Sequence, residues 1–198
     1  MHNLIKIATN IIIVMLFSTC TNRAKPNATL NNLAQNSAND TISSEYTPLD
    51  SESCQTIELN KETGYLTQSC PGYNSIPVFV SQTDGFHSVS IGEKQNEDSS
   101  IIGSNLLGNL GDKLEWRLRN NQPFAAIYRH DIIYFDDAPE SIDSVLVVKK
   151  ISGNVASCIT SVVDSNVPNA NEVARRIADE KIADFECGVD TVESRNVE

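Results

Sequence analysis

From Leu114 to Arg119 the chain alternates without exception: Leu114, Trp116 and Leu118 are apolar, while Glu115, Arg117 and Arg119 are charged. Side chains that change sides at every step belong to a β-strand with one apolar face and one polar face. Shorter stretches repeat the period. Ile57 and Leu59 flank Glu58, and Ile76-Pro77-Val78-Phe79-Val80 is an apolar run whose proline suits an edge or a strand start. Phe86 to Ile91, Phe124 to Arg129, Val145 to Ile151 and Val155 to Val163 are further strand candidates. Ser152-Gly153-Asn154 joins the last two as a hairpin turn, and Asn120-Asn121-Gln122 is short enough for another. Short strands separated by turn signals predict an antiparallel sheet.

One segment has helical period instead. Val173, Ala174, Ile177, Ala178, Ile182 and Phe185 fall on one stripe of a helix that starts near Ala170. Asn169 with Glu172 three residues later is spaced as a capping pair, and Gly188 is a natural stop. Glu172, Arg176 and Glu180 are spaced for attraction on the exposed side. Strands followed by one helix give an α+β class, mainly antiparallel sheet with the helix packed on one face. The predicted domain runs from Ser53 to Cys187, with a polar tail over 188–198.

Ahead of it the composition changes. Lys6 is a weakly positive start, Ile11 to Phe17 is an unbroken apolar run, and Ser18 and Thr19 are small residues before Cys20. These marks together are those of a secretion signal over 1–19. The run is too short to span a bilayer as a permanent helix. Phe17-Ser18-Thr19-Cys20 resembles the lipobox of bacterial lipoproteins, although that pattern prefers Leu at the place of Phe17 and Gly, Ala or Ser at the place of Thr19. The resemblance implies that Cys20 becomes the first mature residue and carries acyl chains, which anchor stably when several are present. Ordinary secretion, with cleavage nearby and Cys20 free or removed, is the alternative. Residues 21–52 are rich in Asn, Ser, Thr and Ala, and such a stretch cannot bury enough apolar surface to offset its ordering entropy. With Cys20 they are expected to form a tether, over 20–52, whose root-mean-square reach is roughly 30 Å.

Five cysteines leave four for the domain if Cys20 is lipidated. An even count in an exported chain suggests disulfides. Asn60 to Gly64 has the makings of a five-residue turn that sets Leu59 opposite Tyr65, and that register sets Cys54 opposite Cys70. The second pair is then Cys158, on the last strand, with Cys187, just past the helix.

A net charge of -11 opposes nucleic-acid binding, which needs a basic footprint, and it attracts basic partners. No pair of cysteines has the C-x-x-C spacing of zinc or thiol-exchange sites, and no cofactor motif is present. Gly103, Gly108 and Gly111 lack the Lys-Ser/Thr of a phosphate loop and are expected in a connection before the Trp116 strand. His87, near Asp84, and His130, beside Asp131, would support acid/base work only if both faced one cleft, and no nucleophile is placed by spacing. Asp136, Asp137 and Glu140 flank Pro139 as a solvated turn. Arg117 and Arg119 share one side of their strand, and Arg129 joins them if the next strand is adjacent. That side is expected to face solvent, opposite Trp116. Such a cluster can grip a carboxylate or phosphate, or it can form an ion-pair ladder with Glu115, which is the stronger expectation in an acidic chain.

Cys70-Pro71-Gly72-Tyr73 with Ile76-Pro77-Val78, Gly111-Asp112-Lys113-Leu114-Glu115-Trp116-Arg117-Leu118, and Pro123-Phe124-Ala125 with Ile127 and Arg129 resemble a group of small exported proteobacterial proteins of unassigned activity. The resemblance implies export and a single domain, and it carries no activity, substrate or catalytic residue. Three function classes follow. The first is a non-enzymatic binding or structural module of the cell envelope, facing the periplasm or the cell surface, with a protein or cell-wall partner. The second is an inhibitor of a basic hydrolase such as lysozyme. The third is an envelope hydrolase whose site has no recognisable motif.

Overall fold

The computed structural model describes residues 40–93, 107–132, 143–152 and 155–195. The chain divides into units Met1–Ala38 and Asn39–Glu198, and every described residue lies in the second. Cys20, the expected signal, Gly103, the expected turn at 136–140 and Gly153-Asn154 of the expected hairpin turn fall outside the described residues.

The alternating segments form β1 (Ile42–Pro48), β2 (Gln55–Leu59), β3 (Leu66–Cys70), β4 (Val78–Thr83), β5 (Phe86–Ile91), β6 (Gly108–Arg119), β7 (Gln122–Ile132), β8 (Asp143–Ser152) and β9 (Val155–Asp164). The helix α1 (Ala170–Lys181) and a short β10 (Glu193–Arg195) follow. A six-stranded sheet runs in the order β1-β6-β7-β8-β9-β10, and a four-stranded sheet in the order β2-β3-β4-β5. All pairings are antiparallel except β9 with β10. The class is α+β, as the periodicities predict.

Period two decides the layers. Leu114, Trp116, Leu118, Ala126, Tyr128, Val145 and Val147 point from the six-stranded sheet onto Val78, Val80, Val89 and Ile91 of the four-stranded one, and together form the larger core. Trp116 is fully buried there, and its Nε1 donates to Thr47 Oγ1 at 2.9 Å, so the indole's polar edge is satisfied. The alternate residues Ala125, Ile127, Leu146, Val148 and Val163 point the other way and pack on Ala170, Ala174, Ile177, Ala178 and Ile182 of α1. The order of layers is sheet, sheet, helix.

Both disulfides pair as expected: Cys54 with Cys70, the pair set by register, Cα atoms 4.2 Å apart, and Cys158 with Cys187, the remaining pair, at 5.8 Å. The hairpin reaches the first pair by an unforeseen route. Leu59 opposes Leu66 rather than Tyr65, and a bulge between Thr56 and Glu58 restores the offset, so that Gln55 opposes Ser69 and the cysteines meet.

Five further expectations are corrected. Part of the predicted tether, Ile42–Pro48, is an edge strand paired to β6 over its whole length. Its polar composition hid it, since an edge strand held by backbone ladders and polar side-chain bonds needs little apolar surface. Part of the predicted tail, Glu193–Arg195, pairs with β9, and Lys181 Nζ meets Glu193 Oε2 at 2.8 Å. Gly108 and Gly111 lie within β6 rather than in a connection before it; a bulge between Leu110 and Leu114 absorbs Gly111. Asn169 does not cap with its side chain, because its backbone is left-handed (φ 59°). The fifth correction concerns the arginine face and is described with the site. The β6–β7 hairpin closes on Asn120 and Asn121, both at positive φ, the pattern of a two-residue primed turn.

Candidate functional site

Glu115, Arg117 and Arg119 share the face of β6 opposite Trp116, as the alternation requires. That face is not open to solvent, because α1 lies across it. Arg117 and Glu115 are each only 8% exposed. The helix brings Arg175 and Asp179, spaced i,i+4 along one flank, over the strand. Arg117 donates from Nε and Nη2 to the two oxygens of Asp179, at 2.9 and 2.6 Å. Arg175 donates from Nε and Nη2 to the two oxygens of Glu115, at 2.7 and 3.1 Å. Each pair is bidentate and crosses from sheet to helix.

The edge strand closes the network. Ser44 Oγ donates to Glu115 Oε1 at 2.6 Å and accepts from Arg117 Nη1, and Arg175 Nη2 reaches Tyr46 Oη at 3.1 Å. Glu115 holds the Arg175 guanidinium above its ordinary range, chiefly through the hydrogen bonds between them. Arg119 donates to the Asp179 carbonyl at 3.0 Å and stacks over Phe124, its guanidinium carbon 4.8 Å from the ring centroid. Lys150 reaches past the helix end to the carbonyls of Ala183 and Phe185, at 3.0 and 2.8 Å, where a cation is favoured. This is a latch between β1, β6 and α1, with its charges matched in pairs. Chemically it resembles the expected ion-pair ladder, extended onto the helix.

Arg129 shares the face but not the latch. It lies two residues along β7 from Ile127, the partner of Glu115. Its Nη1 donates to Ser144 Oγ at 2.6 Å.

The histidines lie on the opposite face, between the sheets. Their ring centroids are 6.4 Å apart and the rings are edge-on at 72°. His130 is fully buried. Burial lowers the His87 pKa, against the backbone carbonyls of Gly108 and Gly85, which raise it. Strand alternation sends Asp131 to the face away from His130, so the His130-Asp131 neighbours in sequence do not form an acid/base pair.

A buried cation also lies between the sheets. Lys149 shares the face of Val145 and Val147, and its Nζ donates to the Val89 carbonyl on β5. Nearby, Ser157 Oγ accepts from Ile91 N at 3.0 Å. These two side chains satisfy backbone groups that β5 leaves without a ladder partner on its outer edge. Burial pushes the Lys149 ammonium down to about 8.

Sequence reasoning missed Ser44, Tyr46, Arg175, Asp179 and Lys149. The parity of Lys149 with Val145 and Val147 was a signal for its inward direction. Arg175 and Asp179 border the apolar stripe of α1, where a charged pair can reach the sheet. Ser44 and Tyr46 carried no signal.

Among the described residues no group of three or more His, Cys, Asp or Glu could hold a metal ion, and no helix is long and apolar enough to cross a membrane. Two disulfides fit an oxidising, exported environment. No family model, curated protein or solved structure matches this chain.

Proposed function

We propose that this chain is a non-enzymatic binding module of the cell envelope, held to a membrane by lipid on Cys20 and acting through contact with a protein or the cell wall. The observation that carries the reading is the matched latch. Arg117, Arg175, Glu115 and Asp179 are committed to one another, so the sheet–helix face supports rigidity rather than turnover. Two disulfides brace the same domain, and a rigid surface loses little entropy on binding. The strand β2 supplies a contact surface: it lies at a sheet edge with Ile57 46% and Leu59 55% exposed. Mass spectrometry of the native amino terminus tests the anchor, with an acylated Cys20 expected. Co-sedimentation of the domain with purified cell-wall sacculi, and titration with basic proteins, test the contact. Retention by neither, under low salt, would sink the binding reading.

The net charge of -11 favours a second reading, inhibition of a basic hydrolase such as lysozyme. Stoichiometric inhibition of lysozyme at low salt, lost at high salt, would select it over simple envelope binding.

A further inference from the structure

Arg129 differs from the other two arginines of the predicted cluster. Arg117 and Arg119 each face a carboxylate, whereas among the described residues Arg129 has no ion-pair partner. Among the described residues this partly buried guanidinium makes no ion-pair contact, which is out of pattern in a chain of net charge -11. Its protein partner is a hydroxyl. Nη1 donates to Ser144 Oγ at 2.6 Å, and Ser144 Oγ shares a hydrogen with Ser165 Oγ, also at 2.6 Å. The three side chains come from β7, β8 and the loop after β9. Ser165 N donates to the Ser144 carbonyl at 2.9 Å and fixes the two serines side by side.

The donor count points outward. Nη1 is held by Ser144, and the remaining guanidinium protons have no protein acceptor among the described residues. A guanidinium edge presents two parallel N–H groups, the geometry that meets two oxygens of one oxyanion. Ser144 accepts from Arg129. When its own hydroxyl donates to Ser165 Oγ, the Ser165 hydroxyl is left free to donate. Gly111, at the bulge of β6, lies alongside; a Cβ there would come within 3.0 Å of the Arg129 Cβ, so a side chain at this position would crowd the arginine.

Charge selects among oxyanions. Asp131 is on the same face two residues along β7, opposite Ser144. One guanidinium beside one carboxylate favours a singly charged ligand over a doubly charged one. We infer that Arg129, Ser144 and Ser165 form a subsite for a carboxylate carried by a ligand or partner. This does not depend on the envelope-binding reading.

The test is an NMR titration of the full domain, following the Arg129 Nε–H and the Ser144 and Ser165 amides. Sodium acetate should shift these signals to saturation, and inorganic phosphate should bind more weakly. Arg129→Gln should weaken acetate binding at least about tenfold, a loss of ~1.4 kcal/mol, with the melting curve unchanged. Arg129→Lys keeps the charge but loses the fork and should not restore binding. Asp131→Asn should strengthen it. N-acetylalanine and glucuronate then separate the sources: tighter binding of the first assigns a peptide terminus, tighter binding of the second an acidic sugar. Shifts that do not saturate, phosphate binding tighter than acetate, or an Arg129→Gln variant that binds like the parent would overturn the assignment.

Discussion

Lys149→Met tests whether the buried ammonium strains this fold at neutral pH. The side chain is 4% exposed, and its ordinary pKa of 10.5 falls to about 8 because burial disfavours the charged form. At 1.36 kcal/mol per unit, the fall from 10.5 to about 8 makes charging this group cost ~3 kcal/mol more in the folded chain than in the unfolded one. Because the folded pKa is the lower, the unfolded chain holds the extra proton between about pH 8 and 10.5, and stability must rise with pH across that window. Integrating from pH 7 to 10 gives a gain of roughly 2–3 kcal/mol for the parent. Tyr128 sets the upper limit of the measurement. Its phenol is pushed up by burial, so above its ordinary value of 10 the unfolded chain loses that proton first and stability turns down. Methionine has a similar length and does not titrate. It removes the desolvation cost but leaves the Val89 carbonyl without its donor, at about 1–3 kcal/mol. The variant should therefore be close to the parent in stability at pH 7 and less stable at pH 10. Urea unfolding under non-reducing conditions, at intervals from pH 7 to 10, reads the difference. Parallel stability curves for the two proteins would refute the reasoning, because the Lys149 titration would then be the same folded and unfolded.

Other perturbations follow from the same interactions. Arg117→Ala should destabilise by about 2–4 kcal/mol, since it strands Asp179 at a largely buried interface and removes the donor to Ser44, whereas Arg129→Ala should cost no more than about 1 kcal/mol; thermal melts compare them. Separate Cys-to-Ser replacements of Cys70 and Cys187 should each cost about 3 kcal/mol through restored loop entropy, and non-reducing peptide mapping of the parent should recover only the pairs Cys54–Cys70 and Cys158–Cys187. Stability should fall as pH drops below the ordinary histidine value of 6.5 towards the lowered folded value of His87, because there the unfolded chain binds the proton that the folded chain resists; a His87→Leu variant should show a flatter acid limb in urea unfolding.

Strand periodicity and the α1 stripe made most of the fold legible, because burial on one face leaves a direct trace in residue order. The Cys54–Cys70 bridge was legible for the same reason, even though the bulge at Ile57 was not, and Cys158–Cys187 followed as the remaining pair. The β1 strand was hidden because its side chains are mostly polar, and its place depends on Glu115 and Arg175, which are distant in sequence. The arginine face illustrates the limit most clearly. Alternation put Arg117 and Arg119 opposite Trp116, but whether that side met water or α1 depended on where the helix lay, and the spacing of polar residues on β6 carries no information about that. Lys149 lay in the sequence as one of two adjacent lysines; only the face assignment of its strand separates the buried one from Lys150.

The bridge between Cys158 and Cys187 closes a covalent ring around α1 and the loop that precedes it. If thermal motion breaks the latch at Arg117 and Arg175, the helix cannot diffuse away from its sheet. Its release becomes an intramolecular swing, and its return occurs at the high effective concentration that a short closed loop imposes. A protease that cuts within the ring therefore nicks the domain without detaching the helix, and the two pieces separate only when a reductant is added.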